Sequence, residues 1–556
     1  MSALTCLVRD VGKFCPLYGL KWSRSIGVIA STKRQQFRHY SKSKQSIRIG
    51  CCSGFWGDTT VAAQQLMLKG NLDYLVSDYL SEITMSLLTA AKRKHPDAGY
   101  CPDFLQASVG PYLEHIKNRG VKIISNAGGV NPVACAAALN DMAKRKGVDL
   151  NIAVVTGDDI TARFQWKMDD FDRLAAGSLA GHLIECGAQA TGGIFTDWHL
   201  VPDWDNIGFP IVECSEDGSF VLTKPNETGG LVSVGTVAEQ LTYEIGDPKN
   251  YILPDVICDF SEVQLQQVGD DRVLVQGAKG KPPTPHYKVC GTYMAGYRST
   301  AAVMIAGPRA AEKGKRTVEA IVKRLQYLLK ELWFSDFSKV EVQVVGTEEY
   351  YGDQARKDLN PREVVVWFSV EHTNRKALEL FARELAPAGT GMAPGLTGLA
   401  GRGRPKDSPI LKLYSFLLPK TEIETIIMLA GENPYVFDPP PVPTSSEIVD
   451  TPDVSTAMDL PKGTCTYRLE DLAYTRSGDK GNNANIGVIA RKPAYLPYIK
   501  QALTSQAVEN YFKHLFEQDD EGKRVHSEMY PSLGKAMGQM LLDFKIENMP
   551  ELDKIV

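Results

Sequence analysis

From Ser46 onward, apolar and polar positions alternate between two periods. Short runs rich in Val, Ile and Leu are followed by stretches in which apolar residues recur every three or four positions. The first pattern is that of a strand and the second that of an amphipathic helix. Read this way, Ile47 to Cys52 is a strand, Gly54 to Asp58 a turn and Thr59 to Lys69 a helix. Leu72 to Val76 is the next strand and Ser81 to Lys94 the next helix. Val121 to Ser125, a turn at Gly128 and Gly129, and a helix from Pro132 to Lys146 repeat the unit, and Leu150 to Thr156 is a further strand. Strands alternating with helices predict βαβ units and a parallel sheet.

Past about Pro202 the pattern becomes richer in strands and turns as far as Gly291, which suggests an insertion or an edge of the same domain. A helix from Pro308 to Leu332, strands at Lys339 to Val345 and Glu363 to Val370, a helix from Asn374 to Leu385 and a strand at Ile410 to Leu417 suggest an α+β subdomain over 306–432. Residues 433–464, with Pro439, Pro440 and Pro441 in sequence, have the stiff composition of a linker. Residues 465–556 are long enough for a small independent mixed α/β domain, opening on a strand at Tyr467 to Ala473. The fold class expected is thus α/β, with a large N-terminal domain over 47–432 and an α+β C-terminal domain.

Composition changes this picture in three ways. A chain of 556 residues is too long for one core and must divide into domains. A formal charge of −4 offers no field for nucleic acid, and the short apolar runs span no membrane. The 11 cysteines form no C-x-x-C pair, which argues against zinc and disulfide frameworks and for a reducing compartment. The first 46 residues stand apart: nine Lys or Arg face a single acid, Asp10, and Arg38-His39-Tyr40-Ser41 resembles a presequence cleavage junction. This composition predicts a presequence for delivery to the mitochondrial matrix, or is a disordered basic tail.

In open α/β sheets, ligands bind beyond the carboxyl ends of the strands, so the loops carry the candidate chemistry. In the first of them, Ser53, Gly54, Gly57 and Asp58 form a glycine-bearing turn ahead of a helix. It suits an anionic ligand, or is simply a tight turn capped by Asp58. The spacing is neither G-x-G-x-x-G nor a P-loop, which argues against a dinucleotide enzyme. In the second loop, Asn126, Gly128, Gly129 and Asn131 offer donors to a carbonyl or carboxylate, while Asn131-Pro132 is equally an ordinary helix start. A third loop places Asp158 and Asp159 after a strand, as a Mg²⁺ site, a general base or a helix cap. Nearby, Asp197 stands two residues from His199 and is placed to orient an imidazole, or both are structural. The fourth stretch, Arg476 to Gly487, is rich in Gly and Asn and carries Arg476, Ser477, Asp479 and Lys480; it is an anion-binding turn or a polar hairpin. A fifth, Gly389 to Ser408, with Arg402, Arg404 and Lys406, could close over a phosphate-bearing ligand or be a ligand-free loop.

Ile47 to Asp58, Ser125 to Pro132 and Thr156 to Asp159 resemble the N-terminal domain of the acyclic terpene utilisation AtuA-like family. Tyr467 to Ile489 resembles its small C-terminal domain. The resemblance implies a ferredoxin-like fold for the latter and a role in breaking down acyclic terpenoids through coenzyme A thioesters, beside acyl-CoA carboxylases and hydratases. It assigns no catalytic residue. The expectation is an enzyme acting on a branched acyl-CoA or carboxylate by hydration, carbon–carbon cleavage or thioester hydrolysis. Asp58, Asp158, Asp159, Asp197 and His199 supply its candidate acids and bases, a coenzyme A thioester is its candidate substrate and a homo-oligomer its expected state. The alternative is a non-catalytic scaffold for a carboxylase or hydratase.

Overall fold

A computed structural model describes residues 6–8, 46–156, 170–399, 403–423, 425–429, 435–437, 444, 459–480, 483–515 and 534–555. Within the basic N-terminal region the described residues are Cys6–Val8, a short strand, β1. The chain then enters the expected rhythm. Strand β2 (Ile47–Cys51) leads to helix α1 (Val61–Lys69), and β3 (Tyr74–Ser77) leads to α2 (Glu82–Lys94) and α3 (Leu113–Arg119). Next come β4 (Lys122–Ser125), α4 (Pro132–Arg145) and β5 (Ile152–Thr156). Local chemistry sets the helix starts: the Ser81 hydroxyl accepts from Thr84 N, and Pro132 occupies the first turn of α4, where its missing N–H costs nothing.

β2, β3 and β4 pair in parallel, and β1 lies antiparallel between β4 and β5. After α5 (Phe171–Ile184), strands β6 (Ile211–Cys214) and β7 (Phe220–Thr223) add antiparallel to the other side of β2. The β-rich stretch past Pro202 is therefore an edge of the same sheet. Following α6 (Val234–Thr242) come β8 (Tyr251–Ile252), β9 (Ile257–Asp259), β10 (Gln264–Gly269), β11 (Arg272–Gln276) and β12 (Lys279–Lys281). β10 and β11 continue the sheet, while β8, β9 and β12 form a small one of their own. Alternating side chains bury both faces. Leu75 and Ile123 pack with Leu66 and Leu139 on one side, and Cys51, Val212 and Leu222 pack with Leu179 and Val237 on the other.

A second compact unit comprises Gly291–Tyr414 and Ala502–Pro531. It contains most of the long strand β13 (His286–Ala306), then α7 (Ala310–Glu331), β14 (Lys339–Val345), β15 (Glu363–His372), α8 (Arg375–Glu384), α9 (Ala388–Gly391), β16 (Leu396–Leu399) and the first part of β17 (Asp407–Pro419). Its core joins Ile305, Val366 and Phe368 of the sheet to Leu325 of α7 and Phe381 of α8. Of the fifth candidate loop, Arg404 and Lys406 are exposed, and Arg402 lies outside the described residues.

The first unit also includes β18 (Thr425–Leu429) and β19 (Tyr435–Phe437), which extend the large sheet to eleven strands, and β20 (Cys465–Arg468). Most of the proline-rich stretch lies outside the described residues. The strand expected over Tyr467 to Ala473 is interrupted by α10 (Leu469–Leu472), because Leu469 and Leu472, three apart, are both fully buried. β21 (Ala473–Lys480) and β22 (Asn483–Ala490) then form an antiparallel hairpin, and α11 (Leu496–Ala502), α12 (Ser505–Phe512), α13 (Met537–Leu541) and β23 (Lys545–Met549) complete the chain. Among the described residues past 465, 465–480, 483–501 and 534–555 group with the large sheet and 502–515 with the second unit.

Candidate active site

β2 is flanked by β3 on one side and by β6 on the other, so the direction in which strands are added reverses there. β6 runs antiparallel to β2, so the carboxyl ends that share this edge are those of the parallel strands β2, β3 and β4. Three connections meet at this edge. Asp78 N, after β3, donates to Ser53 O, after β2, at 3.0 Å. Asn126, after β4, donates from Nδ2 to Asp78 Oδ1 at 2.6 Å and accepts from Tyr79 N at 2.9 Å. Below them Ser77 Oγ donates to Ser125 Oγ at 2.9 Å, and Ser125 donates to Ser77 O at 3.0 Å. The Tyr79 hydroxyl shares a 2.6 Å hydrogen bond with Ser108, on a single π-helical turn, Phe104–Val109. Such turns widen a helix locally and recur at functional sites.

Cys52 lies in the same cluster. Burial pushes its thiol up to about 12, against hydrogen bonds from Ser108 and Ser77 that act the other way. Cys101 is likewise pushed up to about 12, and burial raises the Tyr79 phenol and the Cys51 thiol well above their usual ranges. At neutral pH these groups are protonated, so they are neutral hydrogen-bonding groups and not thiolate or phenolate nucleophiles.

The β2–α1 connection closes on itself. Asp58 accepts from Gly54 N at 2.9 Å and from Thr59 N at 2.7 Å, and Ser53 Oγ donates to Phe55 O. Gly54 is required by close approach: a Cβ there would lie 2.5 Å from Cys186 Cα. Gly57 is required by conformation, with φ +100° and open space around it. Gly128 abuts Pro132, and Gly129 combines φ +53° with packing against Leu88. Asn131 is committed to Pro96 O and Ala98 O.

Gly187 places the 186–206 connection beside Asp58, and the far side of that connection meets the C-terminal hairpin. Arg476, 2% exposed, donates to Glu239, 0% exposed, at 2.8 and 3.1 Å, to Gln189 Oε1 at 2.8 Å and to Gly193 O at 3.3 Å. Glu239 also accepts from Thr196 N, and Thr196 exchanges hydrogen bonds with Thr475. Burial raises the Glu239 carboxyl above its ordinary range, with Arg476 and Thr196 opposing. Ser477 bonds Lys535 O and Gly538 N. Arg476 and Ser477 are therefore taken up by protein partners, because β21 turns them inward. Asp479 and Lys480 pair through their backbones with Ala484 and Asn483.

Asp197 gives both oxygens to Arg491, at 2.6 and 2.7 Å, while His199 is exposed and stacks edge-on against Trp198. The hydrogen bonds from Arg491 hold the Asp197 carboxyl below the usual aspartate range. A carboxyl lowered on folding stabilises above its unfolded value and loses that contribution as pH falls through the folded one. Asp197→Asn is thus expected to cost about 1 kcal/mol at neutral pH and progressively less below about pH 4. Urea unfolding at neutral and acid pH checks this, and an equal cost at both would remove the ion pair as its cause.

Asp158 and Asp159 lie outside the described residues. Among the described residues no His, Cys, Asp and Glu side chains group for a metal ion, and no helix is long and apolar enough to cross a membrane. Sequence reasoning passed over Asp78, Tyr79, Ser108, Glu239 and Arg491. Only Ser77-Asp78-Tyr79, polar residues closing a buried strand, carried a local signal.

These features define an α/β protein with an open sheet whose strand-end loops are tied into one polar cluster and braced by a C-terminal hairpin. The family model for the acyclic terpene utilisation family protein AtuA matches residues 47–165 and 160–429, and that for the AtuA ferredoxin-like domain matches 467–531. The chain belongs to the AtuA family, whose name points to a broad role in metabolism. No match is found among curated proteins or among solved structures.

Proposed function

We propose that the chain is an enzyme of the mitochondrial matrix that acts on a branched acyl thioester or the corresponding carboxylate at the ends of β2, β3 and β4. The observation that carries this reading is the junction of three strand-end loops through Asp78 and Asn126, above the buried neutral hydroxyls of Ser77, Ser125, Tyr79 and Ser108. Ser77 and Ser125 give their protons inside this network, which holds the three loops together beneath the position of a bound carbonyl or carboxylate. Asp58 and Asp78 supply carboxylates at the rim, and the basic composition before Ser46 supports import into mitochondria, where cleavage near Ser41 would remove β1 from between β4 and β5.

Thermal unfolding of the full chain is expected to shift upward with a branched acyl-CoA, by about 2.7 kcal/mol of added stability at a hundredfold excess over Kd. Free coenzyme A, the free branched acid, NAD(P) and Mg²⁺ are the comparison ligands. Asp78→Asn together with Asn126→Asp is expected to reduce the shift. A chain that responds to none of these ligands would instead fit the scaffold for a carboxylase or hydratase. Recovery from mitochondria of a chain lacking the residues before Ser41 checks the location.

A further inference from the structure

β1 (Cys6–Val8) stands between two strands that are otherwise built to be neighbours. It runs antiparallel to both β4 and β5, so β4 and β5 are parallel to each other, and they are level. Val8 lies between Ile123 and Ile152, Leu7 between Ile124 and Ala153, and Cys6 between Ser125 and Val154. The helix α4 (Pro132–Arg145) carries the chain from one to the other. Two parallel strands joined by one crossover helix form the ordinary βαβ unit, and successive strands of this kind usually pair. β2 with β3, and β3 with β4, do so directly.

The strand that parts β4 from β5 has three residues, so its ladder is short. Its departure would not leave a stable gap. Ile123, Ile152 and Val154 are buried in an eleven-stranded sheet, where unpaired backbone N–H and C=O groups are costly. Closure is simple in geometry. β5, β18 and β19 are the last three strands at one end of the sheet, so a shift of one strand spacing, about 4.8 Å, leaves the order of the rest unchanged.

We propose that β1 is a removable wedge. While it is in place it holds β4 and β5 apart; when it leaves, they pair directly, and the end of β5 at Thr156 becomes the neighbour of the Asn126 connection. This regulation of the candidate site rests on the presequence reading above, in which cleavage near Ser41 is the event that removes the wedge. The full chain and the cut chain then present different edges to a ligand.

Ile124 and Ala153 are half-buried and lie at the same level of the two strands. With β1 in place their Cα atoms are two strand spacings apart, about 9.6 Å, beyond the limit of about 7 Å for a disulfide; after closure they are one spacing apart, within it. The full chain carrying Ile124→Cys and Ala153→Cys, treated with a mild oxidant, is expected to form almost no 124–153 link. Adding Leu7→Pro, which removes a ladder donor from the middle of β1, is expected to raise the linked fraction about tenfold or more, read by peptide mass mapping. Hydrogen exchange of the chain without the added cysteines is the second measurement. In Leu7→Pro the amides of Cys6 and Val8 should lose protection, while those of 123–125 and 152–154 keep it, because each strand trades β1 for the other. A 124–153 link with β1 intact, no link in the Leu7→Pro chain, or loss of protection along β4 and β5 overturns the wedge. Neither measurement depends on location or ligand, so a chain recovered from mitochondria with the residues before Ser41 still attached would end the presequence reading and leave the Leu7→Pro result standing.

Discussion

Arg476→Ala is expected to destabilise the large-sheet unit by about 3 to 5 kcal/mol, the usual cost of leaving a buried charge without its partner. Glu239 is fully buried, and its carboxylate receives two of the guanidinium donors. Truncation at 476 leaves that carboxylate with Thr196 N and also removes the donors to Gln189 and Gly193. The 189–197 segment then loses its brace on one side. The paired replacement Arg476→Met with Glu239→Gln removes both charges and should recover much of the loss, since apolar or neutral substitutes for a buried ion pair are often tolerated. Urea unfolding of the parent, the single and the paired variants decides the matter. A single variant losing under about 1 kcal/mol would mean that water reaches Glu239 and that the pair is no brace.

Gly54→Ala is expected to cost about 1 to 3 kcal/mol and to impair ligand binding by more than its effect on stability. The added Cβ would lie 2.5 Å from Cys186 Cα and 2.6 Å from Gly187 N, both main-chain atoms that no rotamer change can move. Relief requires the two connections to separate, and Gly54 N is one of the two backbone donors that hold Asp58 in place. Gly57→Ala is the informative comparison. Nothing lies within 4 Å of its added Cβ, so only the strain of φ +100° opposes it. Thermal unfolding and thioester titration of the two variants separate crowding from conformation. Equal binding by both would show that the 186–206 connection yields freely, and would count against its role as a wall of the site.

Much of the architecture was legible in the chain because its cause is local. The strand at Lys339–Val345 and the helices at 82–94 and 132–145 follow from burial periodicities that recur within a few residues and from caps and prolines adjacent to them. The convergence of the Ser53, Gly54 and Asn126 connections was legible at a coarser level, since parallel βαβ units bring strand ends to one edge. The strand read across Tyr467 to Ala473 fails because two buried leucines three apart satisfy a helical turn as well as they fit an extended run, and packing chose the former.

The amino-acid sequence alone determined the alternation of strands and helices over 47–156, the α+β pattern over 308–417, and which family the chain resembles. The tertiary structure decided which polar groups meet. Asp78 and Asn126 are 48 residues apart, Asp197 and Arg491 are 294 apart, and Glu239 and Arg476 are 237 apart. An arginine beside glycines and asparagines reads identically whether its guanidinium faces a ligand or a buried carboxylate. The difference lies in desolvation, a property of the neighbours that packing supplies, and periodicity carries no record of it.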